Sequence, residues 1–320
     1  MQPNKSIRIK ITGNCNRKCF FCHKEGNMAN IGDIVFNNEL QQIIDKLNND
    51  FHIERVALTG GEPLLYPLLN DFVQNINTET NIKKVSITTN GTISLEKHKW
   101  DNLKENGLFK VNISIPEILS HTENPERNKF IFNKQVETIE YLNSIEVNVD
   151  VNIVVYNDVY SLENVVKRLY RLKKENNLIF DMVLLPNINS TKDYNDSIAT
   201  IRHFCSKLEL NKEKTFNVIG TSNTIEKYVS NSIGEIYIKT TKLTGKPFLL
   251  TSMCSKCKIK EICQEGFYGI RLENRNNKIY VRLCIHQDTE KFVMPFEEFT
   301  KSKYYKELSK IWHEKEDTHE

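Results

Sequence analysis

Residues 7–22 of the chain read IRIKITGNCNRKCFFC, a short strand-like run followed at once by three cysteines. The alternation of β-branched residues predicts a strand over Ile7–Ile11. The cysteines, Cys15, Cys19 and Cys22, have C-x3-C-x2-C spacing. Three thiolates are one fewer than a closed cuboidal iron–sulfur cluster or a tetrahedral zinc site requires. The stretch therefore predicts a metal centre with one position open to another ligand. The alternative is a zinc site with His23 as its fourth ligand.

The bulk composition limits the class of protein. The chain has 320 residues, with 39% hydrophobic and 27% charged residues and a net charge of +3. No basic block supports nucleic-acid binding, and no run of about eighteen apolar residues predicts a membrane-spanning helix. The N-terminus lacks an apolar signal segment, so we expect a cytoplasmic protein. In that compartment, clustered cysteines bind metal more often than they form disulfides.

Short β-branched runs alternate with amphipathic stretches through the first 185 residues. Strands are predicted over 7–11, 55–58, 85–88, 111–115, 147–155 and 182–185. Asn37 and Ser161 are predicted to cap two of the helices between them. Six β/α units fall short of the eight that close a barrel, which favours an α/β fold with a partial (β/α)6 barrel of the TIM type. A doubly wound sheet is the alternative that periodicity leaves open.

Polar motifs follow the first three predicted strands. The cysteines come after strand one, TGGEP (59–63) after strand two, and TNG (89–91) after strand three. In either architecture, ligands bind at the carboxyl ends of parallel strands. We therefore expect the three motifs to form one site.

The last part of the chain carries a second cysteine group, Cys254, Cys257, Cys263 and Cys284. Its C-x2-C-x5-C spacing and later cysteine predict a second metal site, with structural zinc as the alternative to iron and sulfur. A hairpin is predicted over 270–272 and 278–283, a strand over 235–243, and one amphipathic helix over 295–312. Residues 187–200 are predicted to form a loop, with a helix around 198–210 that holds Cys205. The expected regions are 1–190, 191–244 and 245–320.

The combination of C-x3-C-x-aromatic-C with GGEP resembles the radical S-adenosylmethionine (SAM) superfamily. The resemblance implies that the three cysteines hold a [4Fe–4S] cluster whose open iron binds SAM, and that an electron donor such as flavodoxin or ferredoxin reduces it. Reductive cleavage of SAM in that family gives a 5′-deoxyadenosyl radical, which abstracts hydrogen from a substrate. The residues matched to SAM contacts are Phe21, Gly60, Gly61, Glu62, Thr89, Asn90, Ser114 and Leu185.

The second cysteine group is similar to the auxiliary-cluster domain, of the twitch or SPASM type, found in many members of this family. The resemblance implies a second [4Fe–4S] cluster held by the four later cysteines. Tyr268 and Arg271 lie close to this group in sequence and are candidate substrate contacts.

Within the superfamily, the layout is similar to that of the GTP 3′,8-cyclases, over residues 5–190 and 245–290. Arg8 keeps a basic residue that faces phosphates in those enzymes. Ala57 and Asp150 stand where a cation is expected, which weakens triphosphate binding. We therefore expect a substrate other than GTP.

Two enzymatic hypotheses follow for the substrate. The first is modification of a ribosomally made peptide, with a separate leader-binding protein as a further partner. The second is oxidation, epimerisation or rearrangement of a sugar, nucleoside or other small molecule. Cys205 is a candidate hydrogen donor, with simple helix packing as its alternative. A non-catalytic iron–sulfur carrier or sensor is the hypothesis from another class, and neither a nucleic acid nor a membrane is expected as a partner.

Overall fold

A computed structural model describes residues 2–3, 6–19, 22, 31–116, 125–219, 224–240, 249–263, 266–267 and 269–313. The strands in these ranges are β1 (Gln2–Pro3), β2 (Ser6–Thr12), β3 (Arg55–Gly60), β4 (Lys84–Thr89), β5 (Leu108–Pro116), β6 (Asn148–Val155), β7 (Asp181–Pro186), β8 (Asn211–Ile219), β9 (Thr224–Ser230), β10 (Gly234–Thr240), β11 (Arg271–Arg275), β12 (Lys278–Arg282) and β13 (Val293–Pro295). The helices are α1 (Asn38–Phe51), α2 (Leu69–Glu79), α3 (Lys97–Glu105), α4 (Pro125–Ser144), α5 (Val159–Glu175), α6 (Thr191–Lys207), α7 (Thr251–Cys254), α8 (Phe296–Lys301) and α9 (Lys303–His313). None of the helices in the described ranges is long and apolar enough to cross a membrane.

Strand order distinguishes the two predicted architectures. Strands β2 to β7 are parallel and lie side by side in chain order, without the reversal that defines a doubly wound sheet. Strand β1 lies at the far edge, on β8, yet only two residues separate it from β2. Three peptide units span about 11 Å at most, so the sheet must curl until β8 approaches β2. The predicted barrel is confirmed.

Parallel strands extend the six β/α units on both sides. Strand β10 pairs in parallel with β7, and β11 pairs in parallel with β2. The pairing of β11 with β2 places the C-terminal hairpin in the same sheet as the strand that precedes the first cysteines. The division into regions at residues 190 and 244 stays a prediction.

The two faces of the curled sheet differ in chemistry. Side chains on the outer face are apolar and almost fully buried, as Ile9, Leu58, Ile87 and Ile113 are, and helices α1 to α6 cover them. The register places alternate side chains on the inner face: Arg8, Ala57, Ser86, Asn112, Asp150 and Asn152. The hydrophobic core therefore lies between sheet and helices, while the interior of the barrel is polar.

Helix starts follow side-chain caps, and two predictions need correction. Asn37 caps α1 as predicted, accepting a hydrogen bond from the Leu40 amide at 2.9 Å. The cap of α5 is Asp158, because its carboxylate accepts from the amides of Tyr160 and Ser161. The prediction of Ser161 as that cap was therefore wrong.

The segment predicted as a loop over 187–200 contains the start of α6. Ser190 caps this helix, and its hydroxyl both accepts from the Asp193 amide at 3.1 Å and bonds the Asp193 carboxylate at 2.7 Å. The spacing of Ser190 and Asp193 is that of a capping box, with Asp in place of Glu. The loop prediction was wrong because polar side chains cover the outer surface of an amphipathic helix.

The remaining corrections concern the C-terminal half. Strands β8 and β9 were not predicted; they form an antiparallel pair that continues the sheet from β10. The predicted single helix over 295–312 is two helices, α8 and α9, separated at Ser302, whose hydroxyl accepts from the Tyr305 amide and caps α9. Tyr305 packs edge-on against Phe51 and Phe299, which joins α9 to α1 and α8.

Candidate active site

The first three cysteines lie in the loop that leaves the carboxyl end of β2. Cys15 and Cys19 are half-buried and Cys22 is exposed. The Cys22 amide donates to the Cys19 carbonyl at 3.0 Å, and the Arg17 amide donates to the Cys15 sulfur at 3.4 Å. An N–H group directed at a cysteine sulfur stabilises the thiolate that iron requires.

The electrostatic surroundings of the cysteine loop favour binding of a metal cation by the thiols. Burial raises the pKa of the Cys19 thiol, the neighbouring Cys15 raises it further, and the Arg17 guanidinium opposes both effects. Soft sulfur donors gathered in a partly open loop fit an iron–sulfur cluster, because a bound cation supplies the charge that ionised thiols need.

Two glycines let the next loop pass directly against the cysteine loop. The Gly61 amide donates to the Thr12 carbonyl at 2.8 Å, and the Glu62 amide donates to the Asn14 carbonyl at 2.7 Å. A Cβ on Gly61 would lie 2.0 Å from the Asn14 carbonyl oxygen. Gly60 has a φ of +151°, and a Cβ there would lie 2.4 Å from the Thr12 carbonyl oxygen. Only glycine permits this approach, so the two loops are fixed together immediately before Cys15.

The Glu62 carboxylate joins the loop after β3 to the turn after β4. Its side chain is buried, and it accepts hydrogen bonds from the Thr89 hydroxyl at 2.6 Å, the Asn90 amide at 2.8 Å and the Leu64 amide at 3.0 Å. Burial raises the pKa of Glu62, while the three donors favour its ionised form. The structure thus brings together Glu62, Thr89 and Asn90, which the sequence placed near SAM, and makes the carboxylate the connection between their turns.

Asn90 also contacts the cysteine loop. Its side-chain amide donates to the Asn16 side-chain oxygen at 3.0 Å, and the Asn16 side-chain amide donates to the Thr92 hydroxyl at 2.9 Å. Thr92 in turn bonds the Asn90 side chain through its amide and its hydroxyl. Side-chain hydrogen bonds therefore join the cysteine loop to the turn after β4.

The other predicted SAM contacts lie on the next strands of the barrel. Ser114 is half-buried on the inner face of β5, opposite Asn152. Leu185 is half-buried on β7, opposite Val154. Phe21 lies outside the described residues. As SAM contacts, all three stay predictions.

The four later cysteines come together near the amino end of β2. Cys254, Cys263 and Cys284 are buried, and Cys257 is half-buried. Burial and the three neighbouring thiols raise the pKa of Cys254 to about 11. The Gly266 amide donates to the Cys263 sulfur at 3.3 Å, as Arg17 does at the first group. The donor set fits a metal held by thiolates, although no three His, Cys, Asp or Glu side chains among the described residues are placed to hold a single metal ion.

A buried ion-pair network holds the segment that carries Cys284. The Arg282 guanidinium binds both carboxylate oxygens of Glu273, at 2.8 and 3.1 Å, and Asp288 at 2.8 Å. It also donates to the carbonyls of Cys284 and Gln287, both at 3.3 Å. Removing one member would leave an uncompensated buried charge, so the pair fixes the position of Cys284.

Helix α9 fixes the segment that carries Cys254. The Glu307 carboxylate accepts from the amides of Thr251 and Ser252, at 2.6 and 2.9 Å, and so caps α7, which ends at Cys254. A carboxylate at a helix amino end satisfies the free amides there.

Arg8 and Arg271 lie between the two cysteine groups. They are register partners on β2 and β11, so their side chains share the inner face. Along β2 the chain runs from Arg8 to Thr12 and on to Cys15, about 13 Å of strand before the loop begins. In the other direction, Arg271 pairs with Arg282, which lies two residues before Cys284. Burial raises the pKa of the Cys284 thiol, and the positive charge of Arg271 lowers it.

Tyr268 and Cys205 are the remaining residues selected from the sequence. Tyr268 lies outside the described residues. Cys205 lies in the last turn of α6, which runs back to the edge formed by the amino ends of the strands. It lines a surface cavity there together with Ser206, Ser230 and Ser232, among other residues. Burial raises its pKa to about 12. Its role as a hydrogen donor stays a prediction.

Sequence reasoning missed the residues that hold the motifs in place. Asn16 and Thr92 connect two predicted motifs, and Arg282 and Glu307 position two of the later cysteines. Gln135 of α4 is fully buried and donates to the Asn90 carbonyl at 2.7 Å. Only Gln135 had a signal in the sequence, because it interrupts the apolar stripe of α4 formed by Phe132, Ile139 and Leu142.

The fold brings the three cysteines, the glycine pair and the Thr89–Asn90 turn to the carboxyl ends of three neighbouring parallel strands, which is where enzymes of this fold class bind their ligands. The profile of the Radical SAM superfamily matches residues 9–169, half of the chain. The chain belongs to the radical SAM superfamily.

Curated relatives match about two fifths of the chain. A protein of Methanococcus maripaludis named "Probable GTP 3′,8-cyclase" is 42% identical over 127 residues, 40% of each chain. The GTP 3′,8-cyclase of Aquifex aeolicus is 36% identical over 138 residues, 42% of this chain and 41% of the relative. The match therefore spans about two fifths of the curated relatives.

Two solved structures are similar to this chain at low sequence identity. Streptococcus suis SuiB bound to the precursor peptide SuiA has a TM-score of 0.44 at 16% identity, over 66% of this chain and 48% of the other. HydG, a maturase of the [FeFe]-hydrogenase, has a TM-score of 0.43 at 16% identity, over 62% and 48%. Likeness at this level carries no argument about substrate.

Replacing Gly61 by Ala is expected to disrupt the first cysteine loop. The new Cβ would meet the Asn14 backbone, so the loop must shift at a cost of about 1–3 kcal/mol or more. Thermal unfolding and iron content after reconstitution measure the effect. Gly32→Ala is the matched control, because its Cβ meets only the Asn274 side chain, at 3.2 Å. Equal iron content in both variants would contradict the close approach of the two loops.

Proposed function

We propose that this protein is a radical SAM enzyme with a second [4Fe–4S] cluster that abstracts hydrogen from a ribosomally made peptide. The observation that carries the proposal is the inner face of the barrel, where Arg8 and Arg271 lie side by side between two cysteine groups. A substrate bound there would reach the open position beyond Cys15 and also approach Cys284.

The residues around the first cysteines have separate tasks. Cys15, Cys19 and Cys22 would hold the cluster, which together with SAM supplies a radical able to abstract a substrate hydrogen. The Arg17 amide stabilises the Cys15 thiolate, and the Glu62 carboxylate holds the loop after β3 to the turn after β4. Thr89, Asn90, Ser114, Leu185 and Phe21 are the proposed contacts of SAM. An external donor such as flavodoxin or ferredoxin would provide the electron.

The later cysteines would hold the second cluster. Four thiolates complete the coordination of a cubane cluster, which favours electron transfer or a structural role over direct substrate binding. The Gly266 amide and the Arg282 network would stabilise and position two of these ligands. Zinc in the same donor set is the alternative.

The cations on β2 and β11 favour an anionic group on the substrate. Arg8 and Arg271 place two positive charges side by side on neighbouring strands, an arrangement that would attract an anionic group of the substrate. Guanidinium groups bind carboxylates in a bidentate manner. A carboxylate of a peptide side chain or terminus satisfies this arrangement.

The residues at positions 57 and 150 disfavour a triphosphate. Ala57 leaves β3 without a cation beside Arg8, and Asp150 is neutralised by Lys110, whose ammonium group lies 2.6 Å from the carboxylate. One anionic group can be bound at the β2–β11 seam, and the missing cation at residue 57 would weaken the binding of further phosphates. This supports a substrate different from that of the curated relatives.

Amide and hydroxyl side chains on β5 and β6 support a peptide substrate. Asn112, Ser114 and Asn152 share the inner face of these adjacent strands. Asparagine offers both a donor and an acceptor, which matches the backbone amide of a peptide. A separate leader-binding protein remains part of this proposal.

A sugar, nucleoside or related small molecule is the second candidate substrate. The same hydroxyl and amide side chains also suit a substrate rich in hydroxyl groups, and the similar relatives are named for a nucleotide reaction. A non-catalytic carrier or sensor is the alternative from another class, and it requires no cleavage of SAM.

Anaerobically reconstituted protein is expected to form 5′-deoxyadenosine from SAM when dithionite is added. Chromatography of the quenched mixture measures the product. Cys15→Ala is expected to abolish formation, because only two of the three thiolates remain. An absence of 5′-deoxyadenosine from wild-type protein with its iron content intact would favour the carrier or sensor.

Iron analysis separates a second iron–sulfur cluster from zinc. Two cubane clusters predict about eight irons per chain, and a zinc site in the second group predicts about four irons and one zinc. Replacing Cys254 and Cys257 together by Ala is expected to reduce eight irons to about four. Cys205→Ala is the control and should leave the iron content unchanged, since Cys205 lies apart from both groups.

Substrate class is tested with peptides encoded beside the gene for this protein. Incubation with a true peptide substrate is expected to raise 5′-deoxyadenosine formation above the substrate-free rate and to change the peptide's mass. Arg8→Gln should raise the KM for that peptide about tenfold, because one charge-assisted bond is lost. Lys134→Gln, on an exposed pair with Glu137, is the control. Stimulation by nucleosides or sugars and by no peptide would favour the small-molecule alternative.

A further inference from the structure

Gln135 occupies a core position of α4 without behaving as a core residue. It lies on the buried stripe with Phe132, Ile139 and Leu142, and its side chain is 0% exposed. Its Oε1 atom is buried and has no hydrogen-bond partner among the described residues. A buried acceptor without a partner lowers stability, and a methionine or leucine of similar size would avoid that cost. A polar residue at this position therefore needs a reason.

The amide nitrogen of Gln135 supplies that reason. It donates to the Asn90 carbonyl at 2.7 Å and to the Ser114 carbonyl at 3.2 Å. The Gln135 side chain thus connects the turn after β4 with strand β5. No other side chain among those described bonds both segments.

Gly91 shows that the turn is shaped around this contact. A Cβ on Gly91 would lie 3.0 Å from the Gln135 Cγ and 2.9 Å from the Ile113 Cγ2. Gly91 also has a φ of +66°, which glycine adopts without strain. The absence of a side chain at residue 91 lets the Asn90 carbonyl approach the Gln135 amide.

Asn90 is consequently held from three directions. Its amide donates to Glu62, its side chain bonds Asn16, and its carbonyl accepts from Gln135. Glu62 and Asn16 fix the turn relative to the cysteine loop. The pairing of β4 with β5 ends at Thr89 and Ile113, and Gln135 adds a side-chain connection to the Ser114 carbonyl just beyond it.

We infer that Gln135 is a positioning residue for SAM, acting through Asn90 and Ser114 without touching the cofactor. The inference rests on the proposed function, because it takes Asn90 and Ser114 to be cofactor contacts. Its amide holds the Asn90 and Ser114 carbonyls to one donor just beyond the last register pair of β4 and β5, and thereby limits how the turn can move relative to Ser114. A turn held in this way binds its ligand without first having to be ordered.

The test compares SAM binding and turnover in Gln135 variants of the reconstituted full chain. Gln135→Met removes the donor and the unpartnered acceptor while keeping the volume. Gln135→Glu keeps the shape and cannot donate to both carbonyls. SAM affinity is measured from the change in the electron paramagnetic resonance spectrum of the reduced cluster as SAM is added.

Both variants are expected to raise the Kd for SAM about tenfold, the effect of losing one to two hydrogen bonds. At saturating SAM, 5′-deoxyadenosine formation should stay within about threefold of wild type, because no group that touches the cofactor has changed. The melting temperature of Gln135→Met should change by only a few degrees, since the lost donor and the removed acceptor offset each other. Gln41→Met is the matched control, because Gln41 donates to the Glu79 carbonyl at 2.8 Å on α1, away from the site.

The outcomes separate this inference from the proposed function. Wild-type SAM affinity in either folded variant would overturn the positioning role. Failure of both variants to fold, with Gln41→Met folded, would make Gln135 a structural residue and would also overturn it. A wild-type protein whose spectrum does not respond to SAM would overturn the proposed function itself.

Discussion

The buried carboxylate of Glu62 is the constraint on which the site depends. Three donors from two different segments converge on it, and its own backbone amide is bonded to the loop that leads into the first cysteine. An ionised carboxylate so far from water is stable only while those donors remain, which is why burial and hydrogen bonding act on its pKa in opposite directions. Loss of any one donor would therefore change the positions of all three loops. Gly60 and Gly61 belong to the same constraint, since they allow the backbone to come close enough for the carboxylate to reach both sides.

The sequence was sufficient where structure follows from local pattern. Six strands of the barrel and the cap at Asn37 were predicted because period-2 runs and side-chain caps act over a few residues. Whether the strands form a barrel or a doubly wound sheet depends on their order, which no local pattern contains; the pairing of β1 with β8 decides it. Strands β8 and β9 were missed because charged side chains such as Lys212 and Glu226 pair across them in place of apolar alternation. The start of α6 had a signal at Ser190 and Asp193 that the polar composition of the segment concealed.

In the candidate site, too, the sequence identified the contiguous motifs and missed the long-range contacts between them. The cysteines, the glycine pair and the Thr89–Asn90 turn could be found because each is a contiguous motif after a strand. The residues that hold the motifs to one another could not, since Asn16 meets Thr92 across 76 residues and Glu307 meets Thr251 across 56. Contacts of that length arise only when the sheet has curled and the C-terminal helices have packed. Arg8 and Arg271 were each selected as substrate contacts for unrelated reasons, and only the register of β2 with β11 shows that they are neighbours.

The separation of the two faces of the sheet has a consequence for how such a protein can change over time. In a closed eight-stranded barrel the interior is packed with side chains and contributes to the stability of the fold. Here the apolar contacts lie outside, between the strands and α1 to α6, and each large side chain buried there contributes about 1.5–3 kcal/mol. Positions such as 57 and 150 face inward and take no part in that core. A lineage can therefore exchange the residues that choose a substrate at little cost in folding free energy, while the layer that keeps the chain folded stays the same.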